Sequence, residues 1–445
     1  MPPGPLFPPA ADRALGLGFY LSTTPGVGGR TKATADAFRV TEISSYPLPD
    51  PDGAYTVLRV ASRDWEQHEL GAAIARRLRL APLAVQWSGT KDRRAVADRL
   101  LSYRGPLPEG ALGLPGVELL EAYRARDGLV LGHHYGNAFD IRVSELDRPP
   151  EAALAAYLAT LSDLRAAGGF PNFFGPQRFG EVRPVTHEVG RWVVAGDLAR
   201  AVETYLTALP EGRSESTTGD AARRAYAGHH DAVRALEEFP GEYRFERTLL
   251  DHLARGHPAD RAFRGLSRDL RLLFVHAFQA LLFNRWLTDR RDAGLPLDRP
   301  VCGDHVLRVG RDGTVRGQNA APVGPDNERE CADLVARGGA FVAGPLVGFE
   351  TPVASGPAGE LLERLLREEH VERRMFRLPS SPEVASRGAW RPALLPVPPT
   401  GISVDSEGAR FRFALPKGSY ATVLLREFLK SGATAAPDGR SSRGY

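Results

Sequence analysis

Residues 64–94 read DWEQHELGAAIARRLRLAPLAVQWSGTKDRR, and this stretch indicates the fold more clearly than any other. Apolar residues recur at helical spacing after Asp64, which is a residue type that caps helix N-termini. An apolar strand, 84–87, follows and carries the loop 88–94 at its end. Strand, helix and strand-end loop together are typical of a mixed α/β domain. We predict that the helix ends near Leu80 and buries Leu70, Ile74 and Leu78.

Further strand patterns lie on both sides of this stretch. Residues 37–43 alternate between apolar and polar side chains, and 54–60 form a second strand candidate. Residues 137–143 and 411–415 show strand patterns as well, and the alanine-rich segment 151–167 is predicted to be a helix. The shared strand faces are expected to hold Phe38, Val40 and Glu42 in the first strand and Phe411, Phe413 and Leu415 in the last.

The middle of the chain differs in character from both ends. A mostly helical stretch rich in arginine begins near residue 182, and its clearest helix follows Ser267. We interpret His276 and Asn284 in that helix as packed polar groups, and we predict a small β-rich unit at 302–349. Because the end of the chain returns to the first pattern, an insertion is expected to interrupt one catalytic domain. The predicted divisions are a disordered N-terminus (1–12), the first part of the catalytic domain (13–181), the insertion domain (182–389), the second part of the catalytic domain (390–430) and a disordered tail (431–445).

Composition argues against several classes of protein. With 57 basic and 54 acidic residues the formal charge is only +3, so a nucleic-acid surface would need clustered arginine. Cys302 and Cys331 are too few for a disulfide framework or a cysteine-based zinc site, so we expect a reducing compartment and no metal. The sequence shows neither a signal-peptide pattern nor an apolar run long enough to span a bilayer, and we therefore expect a cytoplasmic protein without membrane contact.

The loop 88–94 holds a single carboxylate among cations. Asp92 follows Lys91 and precedes Arg93 and Arg94, and nearby cations favour the ionised form of a carboxylate. An ionised carboxylate suits a nucleophile better than a general acid. Taken alone, these residues favour a polar turn with its charges in water.

Lysine usage adds weight to the first interpretation. Among 57 basic residues the lysines are Lys32, Lys91, Lys417 and Lys430. The first three fall in the segments that look most like sites, which suggests positions where the planar guanidinium of arginine cannot replace a compact ammonium.

Familiar catalytic and cofactor motifs are missing from the sequence. No Walker A pattern, serine nucleophile elbow or metal-ligand spacing occurs, so we expect no nucleotide cofactor and no metal.

Two further segments carry groups suited to binding nucleic acid. Residues 172–180, NFFGPQRFG, combine aromatic faces with the donors of Asn172 and Arg178, which a single-stranded base could use, although a buried aromatic turn would look the same. Lys417 and Tyr420 lie at a predicted helix start, where phosphate binds well, although an ordinary capped helix is the alternative.

These segments together resemble the TruD family of tRNA pseudouridine synthases, and the form of Thr24 to Gly29 and of the run from Arg183 is closer to the archaeal type. The family's usual Pro-Glu-Asp-Phe is Ala35-Asp36-Ala37-Phe38 here, which puts the turn before Phe38 in doubt. The matching segments are TPGVGGRTKATADAFRVTE (24–42), GTKDRRAV (89–96), GNAF (136–139), NFFGPQRFG (172–180), RPVTHEVG (183–190) and LPKGSYATVLLRE (415–427).

The resemblance implies a fold and a reaction. The fold would be an α/β (α+β) pseudouridine synthase fold with a mixed, largely antiparallel sheet, interrupted by a large, mostly helical TRUD-type insertion domain that would be the second jaw of an RNA cleft. The reaction would isomerise a uridine of tRNA, at position 13 in most of the family, without a cofactor. Asp92 would attack covalently or abstract a sugar proton, and the sequence does not choose between these routes. We also expect a monomer with tRNA as its partner.

The resemblance also assigns roles to individual residues. Phe174 matches a stacking aromatic and Asn172 an amide that contacts the edge of the uridine. Phe38 and Tyr420 match aromatic positions that pack on the nucleotide or close the pocket, and the charged positions around the site are Lys32, Glu42 and Lys91.

Two other functions are compatible with these residues. An RNA-binding module without activity would leave Asp92 dispensable. A glycoside hydrolase would need a second carboxylate, for which Glu42 is the candidate.

Overall fold

The computed structural model describes residues 6–89, 91, 93–180, 182–210, 215–310 and 313–435. The strands are β1 (Leu6–Phe7), β2 (Gly28–Arg30), β3 (Phe38–Ile43), β4 (Tyr55–Arg63), β5 (Gln86–Trp87), β6 (Val96–Arg104), β7 (Val117–Ala125), β8 (Gly136–Leu146), β9 (Phe170–Pro171), β10 (His305–Val309), β11 (Val315–Pro322), β12 (Ala340–Leu346), β13 (Ala389–Pro392), β14 (Leu394–Leu395), β15 (Gly401–Asp405), β16 (Gly408–Pro416) and β17 (Thr434–Ala435). The α-helices are α1 (Ala10–Ala14), α2 (Gln67–Arg77), α3 (Pro150–Ala166), α4 (Thr186–Ala195), α5 (Leu198–Thr207), α6 (Thr217–His229), α7 (Ala232–Glu238), α8 (Arg244–Ala254), α9 (Ala259–Arg264), α10 (Arg268–Asp292), α11 (Glu328–Ala336), α12 (Gly356–Glu368) and α13 (Ala421–Leu429). In these parts of the chain, none of the helices is both long enough and apolar enough to cross a membrane.

The chain divides into two compact units. The first, here called the sheet unit, consists of Met1–Leu6, Leu21–Phe170 and Pro396–Tyr445, and the second, the helical unit, of Phe7–Tyr20 and Pro171–Leu395. The predicted insertion, 182–389, lies inside the second unit. The boundaries of the two units differ from the predicted domain boundaries, which stay a prediction.

The segment 6–12 is not disordered, contrary to the prediction. It holds β1 and the first residues of α1, and the Arg13 guanidinium lies 5.7 Å from the centre of the Phe7 ring. This contact and the hydrogen bonds of the first helical turn order the segment although its sequence is rich in proline. Residues 1–5 and 436–445, which make up the rest of the predicted disordered ends, lie outside the described residues, whereas 434–435 form the short strand β17.

The sheet unit is built on one large sheet. Its strand order is β15-β16-β8-β3-β6-β4-β7, with β2 added beside β8 and β5 beside β6. Among the described strands of this sheet, β3 and β6 run parallel and the other paired strands run antiparallel. The prediction of a mixed, largely antiparallel sheet is therefore confirmed.

The alternating pattern predicted for the strand faces is also confirmed. Phe38, Val40 and Glu42 are buried on one face of β3, and Phe411, Phe413 and Leu415 are buried on one face of β16. The turn before Phe38 forms in spite of the departure from the family pattern. The Asp36 carboxylate accepts from the guanidinium groups of Arg63 and Arg39, with the nearest Arg39 contact at 2.9 Å.

Helix α2 packs on this sheet, and the predicted burial is confirmed for Leu70 and Ile74, whereas Leu78 is half-buried and the helix ends differ from the prediction. Leu70 and Ile74 are fully buried in a cluster with residues of β4 and β6. The N-cap is Glu66, whose side chain accepts from the backbone N–H groups of His68 and Glu69. Asp64 instead has a φ of 57°, so it turns the chain before the helix begins. The predicted strand 84–87 is confined to β5, Gln86–Trp87.

The helical unit packs around α10, the helix predicted after Ser267. The Ser267 hydroxyl accepts from the Leu270 N–H and caps its N-terminus. Helix α4 approaches so closely that a Cβ on Gly190 would lie 2.0 Å from the Phe274 carbonyl oxygen, so only glycine fits there. The β-rich segment is confirmed as a sheet of order β11-β10-β12-β13, and helix α11, which the sequence pattern did not predict, lies between β11 and β12.

A buried histidine of this small sheet makes stability depend on pH. His305 stacks on Trp390 with ring centres 4.0 Å apart, and burial lowers its pKa to about 4. The unfolded chain binds a proton near pH 6.5 that the folded chain does not, so the free energy of unfolding should fall as the pH falls from about 6.5 to 4, by up to about 3 kcal/mol. Denaturant unfolding of His305→Phe, which keeps a ring, should show a shallower pH dependence than the unmodified protein. Equal slopes would contradict this account.

Candidate active site

The predicted site residues divide between the two units. Lys32, Phe38, Glu42, Lys91, Lys417 and Tyr420 belong to the sheet unit, and Asn172, Phe174 and Arg178 belong to the helical unit. Asp92 lies outside the described residues, but the residues on either side of it are described.

A buried ion pair stands next to Asp92 in the chain. The Lys91 ammonium lies 2.7 Å from Oε2 of Glu42, and these side chains are 2% and 1% exposed. The Ser88 hydroxyl donates to the other oxygen of Glu42. Glu42 is thus held from both sides on the inner face of β3, and through it the loop that contains Asp92 is tied to the sheet. The sequence assigned both charged residues to the site, but it did not show that they pair.

The pair lies in an environment that works against the cation. Burial lowers the pKa of Lys91, and the Arg99 guanidinium adds to that lowering, whereas the Glu42 carboxylate raises it; the net direction is downward. Lys91 therefore depends on the Glu42 anion for its charge.

A histidine fixes the start of the same loop. Nδ1 of His134 lies 3.0 Å from the Ser88 carbonyl oxygen, so that nitrogen carries the proton and donates. Burial lowers the pKa of His134, and Lys91 adds to the effect, which favours this neutral form. A Cβ on Gly89 would lie 2.7 Å from Cε1 of the imidazole, so the loop can pass this ring only with glycine there. The sequence did not assign His134 to the site.

The arginines that flank Asp92 also have partners of their own. Arg93 lies 4.0 Å from a carboxylate oxygen of Glu69, and Arg94 donates to the carbonyl oxygen of Ala33 at 2.9 Å. Both are exposed. Arg93 and Arg94 are thus each in contact with another segment of the sheet unit, and the cationic surroundings of Asp92 stay a prediction.

The other lysines differ in their contacts, and the assignment of Lys32 and Lys417 to the site stays a prediction. The Lys32 ammonium lies 5.0 Å from the centre of the Phe38 ring, in a cation–π contact, and its backbone φ is 55°. Lys417 is exposed and donates to the Gly132 carbonyl oxygen, at the turn before Tyr420, the N-cap residue of α13. Lys430 instead donates to the carbonyl oxygens of Ser22 and Thr24 and holds the chain there.

Phe38 is less accessible than its predicted role suggests. It is 2% exposed and makes an edge contact with Phe139, with ring centres 6.1 Å apart. A nucleotide could stack on it only after this packing changed. Tyr420 is half-buried, and closing a pocket is compatible with that exposure.

In the helical unit Asn172 and Phe174 are joined by one guanidinium. Nη2 of Arg391 donates to Oδ1 of Asn172 at 2.6 Å, and its Cζ lies 4.0 Å from the centre of the Phe174 ring. Asn284 accepts from the Phe174 N–H at 2.8 Å and donates to its carbonyl oxygen at 3.0 Å. The Arg178 guanidinium lies 5.8 Å from the same ring. The aromatic run is therefore an ordered group of aromatic, amide and cationic side chains and not only a turn.

Sequence reasoning missed Arg391 and the support given by Asn284. The available signals were a lone arginine within the apolar run 389–395 and an asparagine beside the apolar stripe of the helix predicted after Ser267, since polar groups there need partners. The interpretation of Asn284 as a packed polar group is confirmed, because it is fully buried and holds the backbone of Phe174.

The sequence and the structure of this chain are similar to those of known proteins. Residues 14–428 match the family model of tRNA pseudouridine synthase D (TruD). Proteins described as tRNA pseudouridine synthase D from Methanococcoides burtonii and Halobacterium salinarum are 35% and 37% identical, each covering 95% of this chain and 98% of the relative. A crystal structure described as that of a tRNA pseudouridine synthase D from Methanosarcina mazei superposes with a TM-score of 0.78 at 33% identity, covering 95% of this chain and 98% of that one.

These matches define an RNA-modifying isomerase, a pseudouridine synthase that acts on tRNA. The chain belongs to the TruD family, and the relatives named above are archaeal. Its reaction is the isomerisation of uridine to pseudouridine in tRNA, so the predicted family, fold class and activity are confirmed.

Proposed function

We propose that Asp92 is the catalytic group and that the target is uridine 13 of tRNA. The N1–C1′ bond of the uridine breaks, the uracil turns, and a C5–C1′ bond forms; C5 loses its proton to solvent and N1 gains one. Asp92 either attacks covalently or abstracts a sugar proton to start this sequence. No redox step occurs, so the residues need no cofactor for it.

The observation that carries this proposal is the buried Lys91–Glu42 pair, directly beside Asp92 in the chain. A loop that carries a reacting carboxylate must hold it within a fraction of an ångström, and buried, bonded side chains provide such rigidity. Three contacts restrain this loop: the Glu42 pair, the Ser88 hydroxyl and His134.

The remaining residues are proposed to receive the nucleotide. Phe174 and Asn172 would meet the extruded base, and Arg178 and Lys417 would meet phosphate oxygens. Flipping a base from its stack costs a few kcal/mol, which stacking and phosphate contacts can offset. Lys32, Phe38 and Tyr420 are proposed to shape the pocket.

Target position is tested with tRNA transcripts that carry [5-³H]uridine. Tritium release should occur with uridine at position 13 and should stop when cytidine replaces it, with the rest of the transcript unchanged. A transcript with cytidine at a different single-stranded position serves as the control and should keep full release. Continued release from the cytidine-13 transcript would show another target, and no release from any transcript would favour an RNA-binding module.

We further propose that the protein is a monomer that works in the cytoplasm, where it would meet tRNA. The free protein should sediment at the mass of one chain, 48.3 kDa. A stable mass of twice that value would contradict the monomer.

A further inference from the structure

Arg391 contacts two of the predicted substrate-binding residues, Asn172 and Phe174. It lies in β13 and is 8% exposed. Its Nε donates to the Asn172 carbonyl oxygen at 2.8 Å and its Nη2 donates to Oδ1 of the same residue at 2.6 Å. Its Cζ stands 4.0 Å from the centre of the Phe174 ring. One planar group thus fixes both an amide and an aromatic face.

These contacts determine which way the Asn172 amide faces. A guanidinium can only donate, so the atom that it meets must be the amide oxygen. The Pro392 carbonyl can only accept, and it lies 3.0 Å from Nδ2 of Asn172. One of the two Nδ2 hydrogens is used there, and the other is not used by these contacts. Asn172 is 3% exposed, so a base can meet this remaining N–H only after the packing around it opens.

A single N–H donor suits the chemistry of the turning base. When uracil turns about the axis through C6 and N3, N1 exchanges places with C5 and the C2 carbonyl exchanges places with the C4 carbonyl. A donor placed at one of these carbonyls therefore meets O2 before the turn and O4 after it. The same N–H can therefore donate to the base in both orientations, so this hydrogen bond favours neither the uridine nor the pseudouridine orientation.

We propose that Arg391 is a positioning residue for pseudouridine formation, which orients Asn172 so that its free N–H meets a uracil carbonyl and holds Phe174 against the base. This inference rests on the proposed function of Asn172 and Phe174. The effect of Arg391 on the rate is proposed to pass through Asn172 and Phe174, which its guanidinium contacts.

The first test is Asn172→Asp, which keeps an acceptor for Arg391 and removes the donor. The carboxylate is a stronger partner for Arg391 than the amide, but it leaves the Pro392 carbonyl without a donor, so the melting temperature should fall and kcat is measured on the folded fraction. The kcat for tritium release should fall by about 100-fold while the KM for tRNA changes less than threefold, as expected when a positioned donor to the reacting base is lost. Activity within about threefold of the unmodified protein would overturn the inference.

The second test uses Arg391→Lys alone and combined with Asn172→Asp. Arg391→Lys keeps the charge but loses the planar guanidinium that donates to both oxygens of Asn172. The kcat should therefore fall by about tenfold or more with KM unchanged. If Arg391 acts through Asn172, the double variant should be no slower than Asn172→Asp alone. Multiplied losses in the double variant would overturn the positioning role.

The matched control is Arg290→Lys in the same unit. Arg290 is fully buried and makes a two-point contact with Asp304, 2.7 Å at each nitrogen. This variant should lose stability without a change in kcat of the folded fraction. If the unmodified protein releases no tritium, the proposed function fails; if it is active and Asn172→Asp remains active, only the present inference fails.

Discussion

Glu42→Gln is expected to lower the free energy of unfolding by about 3 to 5 kcal/mol and to reduce tritium release at least tenfold at neutral pH. The reason is the burial of its partner. The Lys91 side chain is 2% exposed, and burial already lowers its pKa, which the Glu42 carboxylate opposes. Glutamine can still accept from Ser88, but it leaves the ammonium buried without a counter-ion. Lys91 would then lose its proton or draw water into the core, and the loop of Asp92 would move with it.

The companion variant Glu42→Gln with Lys91→Met separates stability from catalysis. Removing both charges should restore most of the lost stability, since a buried apolar side chain needs no partner. Tritium release should stay low because the loop has lost the Lys91–Glu42 pair and keeps only the Ser88 contact with β3. A denaturation curve and a turnover assay on each variant give both quantities.

Asp98→Asn is the matched control. Asp98 also lies in the large sheet and pairs with Arg59, but those side chains are 20% and 42% exposed. Its loss should cost no more than about 1 kcal/mol and should leave turnover nearly unchanged. If Glu42→Gln were as stable as this control, the buried pair would not have the role given to it here.

Much of the fold follows from local sequence patterns. The two-residue alternation in 37–43 and 411–415 placed the right side chains on the buried faces, and the apolar spacing after Ser267 located α10. Helix ends were predicted less well. Asp64 and Glu66 are both acidic residues before α2, and only the left-handed backbone of Asp64 shows that the chain is still turning there.

The sequence predicted which residues belong to the candidate site, but it did not predict which of them contact one another. Lys91, Glu42, Asn172 and Phe174 came from their segments and from the family resemblance. Their partners come from distant parts of the chain: Arg391 is 219 residues from Asn172, and His134 is 46 residues from Ser88. No local pattern encodes such pairs, since they form only when separate strands and helices have packed.

The central claim concerns Asp92, and its expected effect is the largest. Described residues of the loop 88–94 are held by other parts of the chain: Lys91 pairs with Glu42, the Ser88 carbonyl accepts from His134, and Arg94 donates to the Ala33 carbonyl. A carboxylate that attacks the sugar or takes its proton cannot be replaced by an amide, which is neither a base nor a comparable nucleophile. Asp92→Asn keeps the shape of the side chain, so binding of tRNA should be retained.

The most direct test is single-turnover tritium release from tRNA with saturating enzyme, for the unmodified protein, Asp92→Asn and the control Asp36→Asn, with tRNA affinity measured in parallel. Asp36 is a carboxylate of a nearby loop that pairs with Arg63, and its replacement should leave the rate nearly unchanged. We expect Asp92→Asn to be slower by at least about a thousandfold, with tRNA affinity within about threefold. Release by Asp92→Asn at a rate close to that of the unmodified protein would contradict the assignment of Asp92 as the catalytic group.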